Sequence, residues 1–346
     1  MDWIELIVAL AVILFGAQLF TNGVEWIGER LGLSQGAVGS VLAAIGTALP
    51  ETLLPLIAIL TGGAVSGDEI GVGAIVGAPF MLSTLAMFVL GASLVGFARG
   101  GGRGTRLLAE AAVVRQDLAF FIGMYGLGVL AGVLHVRAVR WALAPLLLVA
   151  YGVYVVRHFR GPGEAELESE AAGEVLPLFV LVWWRRLRGG AAESLLSPPT
   201  WTAVTQALVG LTLIVGGAKV FVVGVDQLAR TFHVPSLVFA LLVAPVATEL
   251  PEQFNGVIWI GRRKDTLAIG NVTGAMVFQS SFPVSVGLLL TPWRLSHEGL
   301  VAALVALGAG VWLYVALRLL RTLPAWLLML QVALYVGYVG YVLTRL

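Results

Sequence analysis

Apolar runs of about 20 residues, the length that spans a bilayer as a helix, follow one another along almost the whole chain. Short polar breaks separate them. The pattern predicts ten transmembrane helices, near residues 3–27, 37–61, 70–97, 108–134, 138–157, 201–229, 236–260, 266–291, 298–317 and 324–344. The first run is too long for a signal-peptide core and lacks a basic leader, so we expect it to be retained as a span.

The one long polar break covers residues 158–199 and divides the predicted helices five and five. Its first part carries the acidic series that begins at Glu164 and is typical of a solvated linker. Its second part, Trp183-Trp184-Arg185-Arg186-Leu187-Arg188, indicates a short segment at the membrane interface. We therefore expect a first five-helix repeat over 1–157, a linker over 158–199 and a second repeat over 200–346.

The two halves carry the same sequence pattern. A shift of 201 positions aligns Gly16 with Gly217 and the Leu-Pro-Glu triplet 49–51 with 250–252. After a loop that is four residues longer in the first half, a shift of 197 aligns Gly77 with Gly274 and continues to Ser83 and Ser280. A chance match of small residues would not resume after such a break, so the pattern indicates an internal duplication.

An odd number of spans in each half places the two copies in opposite orientations, and the charges agree. When the loops are assigned alternately to the two sides of the membrane, 14 Lys and Arg residues fall on one side and five on the other. Basic residues are in excess in cytoplasmic loops, so we expect a cytoplasmic linker and both termini outside. The predicted fold class is an all-α integral membrane protein of a plasma-type inner membrane, built from two inverted repeats.

Composition supports the membrane assignment. The chain is 59% hydrophobic and 12% charged, with a mean hydropathy of +0.94, whereas a soluble domain carries about 25% charged residues. The net charge of +1 excludes a polyelectrolyte binder of nucleic acid, and the absence of cysteine excludes disulfides and thiolate metal sites.

One acidic motif occurs twice, once in each half, inside an apolar run. Its copies are Gly46-Thr47-Ala48-Leu49-Pro50-Glu51 and Ala247-Thr248-Glu249-Leu250-Pro251-Glu252. A glutamate at membrane depth is costly and indicates a functional site. Each proline is expected to break its helix and to free carbonyl groups, which lipid tolerates only beside a cavity. Matching breaks in two repeats are typical of a transporter's binding site.

The spacing inside each copy indicates what the site would bind. The threonine and the glutamate are four residues apart, so they share one helix face. Two carboxylates with freed carbonyls and hydroxyls form an all-oxygen cage, which suits a hard cation such as Ca²⁺. A simple alternative is that Glu51 and Glu252 only form hydrogen bonds between helices. Nothing in the sequence resembles a catalytic set, so we do not expect an enzyme or a resident cofactor.

With the glycine-rich segments that follow them, these motifs resemble the alpha-repeats of the calcium/cation antiporter superfamily, the sodium/calcium exchangers. The segments are Gly71-Val-Gly-Ala-Ile-Val-Gly77 and Gly270-Asn-Val-Thr-Gly274, and Arg115-Gln116-Asp117-Leu118 is similar to the start of the family's fourth helix. The resemblance covers essentially the whole chain. It implies the exchanger fold and antiport of a divalent cation by alternating access, with H⁺ or Na⁺ as the counter-ion, in a monomer embedded in the lipid bilayer.

The resemblance also implies roles for particular residues. The calcium ligands of the family fall on Glu51 and Glu252, together with the carbonyl groups of Thr47 and Thr248. The first and sixth helices would slide over a core of the second, third, seventh and eighth. The two Gly-x-x-x-Gly segments would press the third and eighth helices against the second and seventh.

The positions that the family uses largely for sodium are altered here. They are Ala48, Glu249, Ala78, Ala275, Leu82 and Gln279. Because alanine cannot replace the water lost by Na⁺, this pattern favours H⁺ over Na⁺ as the coupling ion. Three crowded carboxylates would also keep a proton at one of them near neutral pH. Glu249 is then a proton carrier or an added ligand beside Gln279, or it faces a vestibule and only attracts cations.

Other interpretations stay open at this point. Lys219, within the sixth helix, either reaches the interface or pairs with Asp226, or else acts as a tethered cation near Glu249 or Glu252. The protein as a whole is a proton-coupled cation antiporter, a conventional sodium/calcium exchanger, or a non-transporting protein that keeps the scaffold.

Overall fold

The computed structural model describes residues 3–30, 43–62, 66–100, 103–158, 177–187 and 199–345. Within these ranges the chain is almost entirely helical. Its α-helices, numbered in order, are α1 Trp3–Arg30, α2 Ala43–Thr61, α3 Ser66–Met81, α4 Met87–Arg99, α5 Ala111–Leu134, α6 Arg137–His158, α7 Phe179–Leu187, α8 Thr200–Phe232, α9 Ser236–Thr248, α10 Leu250–Gly261, α11 Asp265–Gln279, α12 Phe282–Leu290, α13 His297–Leu320 and α14 Ala325–Leu343. A π-helical segment, Leu82–Ala86, joins α3 to α4, and two short antiparallel strands are β1 Arg106–Leu107 and β2 Leu323–Pro324.

Eight of the described helical stretches are long and apolar enough to cross a membrane. The α3–α4 and α11–α12 pairs each count as one such stretch, Ser66–Arg99 and Asp265–Leu290. The other two predicted spans, 37–61 and 236–260, are represented by the shorter apolar helices Glu51–Thr61 and Ser236–Val246. The protein is therefore a multi-pass membrane protein, while the count of ten spans stays a prediction.

The third span of each half is interrupted at the same place, and the same hydrogen bonds surround both interruptions. In the first half the π-helical segment contains Ser83 and Thr84, whose hydroxyls both donate to the carbonyl of Phe80, at 3.2 and 2.5 Å. In the second half Ser280 and Ser281 separate α11 from α12, and both donate to the carbonyl of Val277, at 2.8 and 3.1 Å. The equivalent positions differ by 197, the offset that the sequence repeat predicts.

The first helices of the two halves, α1 and α8, form an extensive antiparallel pair. A Cβ on Gly16 would lie 2.8 Å from the carbonyl oxygen of Gly210, and one on Gly23 would lie 2.9 Å from that of Ala203. Small residues therefore let the two backbones approach closely, as in other membrane helix pairs. A separate apolar cluster packs this α1–α8 pair against α2, α3 and α9, and it includes Ile13, Leu54, Ile70, Phe221 and Ala240.

The third span also packs closely across the repeats, against α9. A Cβ on Gly73 would overlap the carbonyl oxygen of Leu237, and one on Gly77 would overlap that of Leu241. The third span therefore packs against the seventh, one of the two helices that the glycine segments were expected to contact. No described residue lies within 4 Å of a Cβ placed on Gly270 or Gly274. The start of the predicted second span is outside the described ranges, so the packing of the eighth span against the second stays a prediction.

An ion pair at one end of the bundle joins the two halves. Arg103, in the loop after α4, lies 2.7 Å from the carboxylate of Asp265 in the first turn of α11, and both side chains are buried. The backbone N–H of Leu108 donates to the same carboxylate at 2.8 Å. The strands β1 and β2 pair beside this loop. These contacts fix the start of α11, whose other end carries Gln279.

Most of the predicted linker lies outside the described residues, but α7 is described and packs on the α1–α8 pair. The backbone N–H of Phe179 donates to the side chain of Asn22 at 3.1 Å, and that of Val180 to Gln206 at 2.9 Å. Trp183 stacks on Phe15 of α1, with ring centroids 5.3 Å apart. The start of α7 is thus held by both members of the pair.

Candidate cation site

The acidic motif of the second half forms a helix break, as predicted. Helix α9 ends at Thr248 and α10 begins at Leu250, with Glu249 between them. Pro251 at the start of α10 has no N–H group to continue the hydrogen bonding of α9. The hydroxyl of Thr248 donates back to the carbonyl of Ala244 at 3.2 Å. The break therefore places a threonine and a carboxylic acid at the junction of two half-helices.

The motif of the first half behaves differently, which corrects the prediction of a matching break. Helix α2 runs from Ala43 through Pro50 and Glu51 to Thr61 without interruption. Pro50 lies only eight residues into the described helix, and a membrane helix can retain a proline when neighbouring groups satisfy the freed carbonyl. The two copies share their sequence but not their local backbone conformation.

Glu51 lies where the two halves meet. It lines a small cavity with side chains from α2, α3 and α9, namely Leu54, Pro55, Ala74, Ala78, Ala244, Pro245 and Thr248. Its side chain is only 8% exposed, and Gln279, at the end of α11, donates a hydrogen bond from Nε2 to Glu51 Oε2. Three of the predicted site residues, Glu51, Thr248 and Gln279, are therefore together. The described walls around them are otherwise apolar.

The structure describes the other predicted ligands only in part. Thr47 and Glu252 lie in α2 and α10, but their side chains are outside the described part of the structure. The separation of the two glutamate carboxylates therefore stays a prediction. Glu249 is fully buried. That burial does not fit the alternative in which Glu249 faces an open vestibule, while the roles of proton carrier and added ligand stay predictions. Among the described residues, no group of three or more His, Cys, Asp or Glu side chains could hold a metal ion.

The altered sodium positions can be located as well. Ala78 forms part of the cavity wall, where it presents a methyl group and no side-chain oxygen. Leu82 is fully buried, at the start of the π-helical segment. Ala275 is partly buried and packs against the larger apolar core, and the side chain of Ala48 is outside the described part.

Lys219 does not reach the cavity. Its side chain is exposed on the outer face of α8, which excludes a tethered cation beside Glu249. The expected pairing with Asp226 is also wrong, because the carboxylate of Asp226 pairs with Arg230, one turn further along α8, at 3.0 Å. Reaching towards the interface is the interpretation that remains for Lys219.

The buried carboxylate of Asp117, which the sequence indicated only as part of a motif, forms a hydrogen bond to α11. Asp117, near the start of α5, accepts hydrogen bonds of 2.5 Å from the hydroxyls of Tyr154 on α6 and Thr273 on α11. Thr273 lies in the glycine-rich segment that follows the second acidic motif. The Arg-x-Asp-Leu motif predicted where this acid would lie in the chain, but its two partners could be found only from the packing of three helices.

Comparison with known proteins agrees with this architecture. The family model described as sodium/calcium exchanger protein matches residues 1–160 and 202–344. The chain belongs to the sodium/calcium exchanger protein family. The two matched stretches lie on either side of the predicted linker.

Individual relatives of this exchanger are distant but cover most of its length. CaxA of Alkalimonas amylolytica, provisionally named an antiporter, is 22% identical over 306 residues, which are 84% of this chain and 81% of CaxA. The crystal structure of the H⁺/Ca²⁺ exchanger CAX superimposes with a TM-score of 0.69 at 13% identity, over 98% of this chain and 81% of that one. A structure of the sodium-calcium exchanger NCX_Mj gives a TM-score of 0.52 at 19% identity, over 97% of this chain and 96% of that one. The exchanger fold is therefore confirmed.

Proposed function

We propose that this exchanger is a secondary active antiporter that moves a hard divalent cation such as Ca²⁺ by alternating access. Glu51 and Glu252 carry the charge that binds the cation, and Thr47 and Thr248 add oxygen ligands. Gln279 and Glu249 complete or tune the site. The observation that carries the proposal is the position of Glu51, whose buried carboxyl group faces a cavity between the two halves.

The chemistry of these groups selects the class of cation. Carboxylate, hydroxyl, amide and carbonyl oxygens are hard ligands, which favour Ca²⁺ over metals that prefer nitrogen or sulfur. The chain has no cysteine to offer a thiolate. A carboxylate in an apolar cavity is stable only when a cation, a proton or a hydrogen-bond donor compensates it. That requirement supports alternate occupation of the site by a cation and by a proton.

The coupling ion in this proposal is H⁺. The two solved structures of this fold are an H⁺/Ca²⁺ exchanger and a sodium-calcium exchanger, so the fold is compatible with either ion. The choice rests on the site, where Ala78 lines the cavity at a position that the family uses for a sodium ligand. Glu249, buried within the second motif, adds a group that can carry a proton.

Alternating access would use the α1–α8 pair. This pair packs against α2 and α9, the helices that bring Glu51 and Thr248 to the cavity, through an apolar cluster of its own. Most of this contact is apolar, and one side-chain hydrogen bond, from the hydroxyl of Ser236 on α9 to Asp226 on α8 at 3.4 Å, lies at the end of the pair. The expected topology has both termini outside a plasma-type inner membrane and the linker in the cytoplasm, with a monomer as the functional unit.

A flux assay in proteoliposomes tests the proposal. Purified protein is reconstituted, and uptake of Ca²⁺, Mg²⁺, Mn²⁺ and Sr²⁺ is followed under an imposed pH gradient, an imposed Na⁺ gradient, or neither. We expect Ca²⁺ uptake that follows the pH gradient. Uptake that requires Na⁺ and ignores pH would identify a conventional sodium/calcium exchanger. If no divalent ion is transported and none raises the melting temperature, the protein is a non-transporting relative, because a bound ion must stabilise the folded state.

A further inference from the structure

A second buried polar group, Gln253, lies one residue beyond Glu252 in the chain. Gln253, in α10, is only 7% exposed. Neither its Oε1 nor its Nε2 atom has a hydrogen-bonding partner among the residues that the structure describes. A buried amide normally forms hydrogen bonds on both sides, because losing water without replacement is costly. The burial of Gln253 therefore indicates a group that serves a ligand rather than the packing of the fold.

The packing of α10 shows the level at which this amide lies. Helix α10 runs beside α4, where a Cβ on Gly256 would meet the side chain of Leu90 and one on Gly261 would meet the ring of Phe97. The two helices are thus parallel. One turn before Gly256 is Gln253, and one turn before Leu90 is the end of the π-helical segment at Ala86. The amide is therefore level with the segment at which the third span is distorted.

Such π-helical segments occur often at functional sites, because they widen the helix and redirect its side chains. This one contains Ser83 and Thr84, both fully buried. Each hydroxyl donates to the carbonyl of Phe80, so its oxygen remains able to accept a hydrogen bond from water. The π-helical segment thus places two buried hydroxyl oxygens in the part of the third span that directly precedes α4.

We propose that Gln253 binds the divalent cation in partly hydrated form as it passes between the central site and the end of the bundle where α4 and α10 finish. The amide oxygen is a hard ligand, and the amide N–H groups orient the remaining water. Under the expected topology this end is cytoplasmic, since α10 is followed by Arg262, Arg263 and Lys264. This inference rests on the proposed function, because it adds a second binding position to the same path.

The test compares Gln253→Leu with a matched control, Gln331→Leu. Gln331, on α14, is also a buried glutamine, at 2% exposure, and its Nε2 has no partner within the described structure. Both variants replace a buried amide by an apolar side chain of similar size. The readouts are the melting temperature with and without Ca²⁺, and the initial rate of Ca²⁺ uptake into inside-out vesicles, in which the cytoplasmic side faces the medium.

We expect Gln253→Leu to melt at or above the wild-type temperature without Ca²⁺, since it removes a poorly satisfied amide. The rise in melting temperature with Ca²⁺ should persist, because the central site is intact. The half-saturating Ca²⁺ concentration for uptake should increase about tenfold, the effect of losing one hydrogen bond or ligand to a charged group. Gln331→Leu should leave uptake unchanged, and Gln253→Glu, which keeps an oxygen ligand, should retain it.

Two results would overturn the inference while leaving the proposed function in place. One is wild-type uptake by Gln253→Leu. The other is a loss of both melting temperature and uptake in Gln253→Leu, which would give the amide a structural role. If the wild-type protein itself transports no divalent ion, the proposed function fails first and the inference fails with it.

Discussion

Glu51 and Gln279 lie 228 positions apart, in opposite halves of the chain, and the amide of Gln279 donates a hydrogen bond to the carboxylate of Glu51. An NH₂ group compensates a carboxylate but cannot bind a cation. Rotation of the amide by half a turn would present Oε1 instead. One residue can therefore serve the site both with and without a bound cation, and it links the middle of α2 to the end of α11.

Gln279 should tune the pH at which the site accepts a cation. In Gln279→Glu two carboxyl groups face each other at hydrogen-bond distance and hold a proton between them. That proton must leave before a divalent ion binds, so the midpoint of Ca²⁺ uptake against pH should move upward by about one unit. Gln279→Leu lacks both the donor and the second acid, and it should weaken Ca²⁺ binding without this upward shift. An unchanged midpoint in Gln279→Glu would separate Gln279 from the ion site.

Neutralising either motif glutamate should abolish transport. We expect Glu51→Gln and Glu252→Gln each to reduce Ca²⁺ uptake to the level of empty vesicles, because a divalent cation in a dry cavity needs both negative charges. The rise in melting temperature with Ca²⁺ should disappear as well. Glu110→Gln is the control, since Glu110 is exposed at the start of α5. Normal uptake by both motif variants would remove the site assignment.

The contact between α3 and α9 should tolerate no side chain at Gly77. In Gly77→Ala the new methyl group overlaps the carbonyl oxygen of Leu241, so the helices must separate, at a cost of about 1–3 kcal/mol in the free energy of unfolding. Because α9 also carries the wall of the cavity, uptake should fall too. Gly96→Ala, on the same span with no described atom within 4 Å, should change the stability by less than about 1 kcal/mol. Equal stability of the two variants would show that the close approach is not required.

The buried ion pair between Arg103 and Asp265 should be important for stability. Arg103→Ala leaves the carboxylate of Asp265 buried without its charge partner, which typically costs about 3–5 kcal/mol. The double variant Arg103→Met with Asp265→Leu should recover much of that loss, since no charge remains buried. Arg106→Ala, three residues further along in β1 and exposed, serves as the control in unfolding measurements. A loss no larger for Arg103→Ala than for Arg106→Ala would contradict the assignment.

Asp117 should stabilise the position of α11 through Thr273. In Asp117→Asn one hydroxyl faces an amide donor instead of a carboxylate, and an unsatisfied buried group costs about 1–3 kcal/mol. In Thr273→Val the same bond is removed from the other side. A double-mutant cycle measures the coupling of the two residues, which should be clearly non-zero because they are in direct contact. Additive effects would show that the contact contributes little.

The sequence alone determined the features that depend on periodicity and repetition. Apolar runs predicted the membrane spans, and the repeated motifs predicted the duplication. The structure shows the same repeat, because the carbonyls of Phe80 and Val277, 197 positions apart, accept matching hydrogen bonds from side-chain hydroxyls. The motif also placed a break at Glu249. These features are local, since the length of a span and the missing N–H of a proline are properties of the chain itself.

Only the tertiary structure decided which groups meet. Identical motifs predicted identical breaks, yet α2 stays continuous at Pro50, because neighbouring helices determine whether a freed carbonyl is satisfied. The direction of Lys219 and the pairing of Gln279 with Glu51 could not be read from spacing. Both depend on how helices from opposite halves rotate against one another, and that rotation is set by the fit of small residues such as Gly73 and Gly77 against a neighbouring backbone.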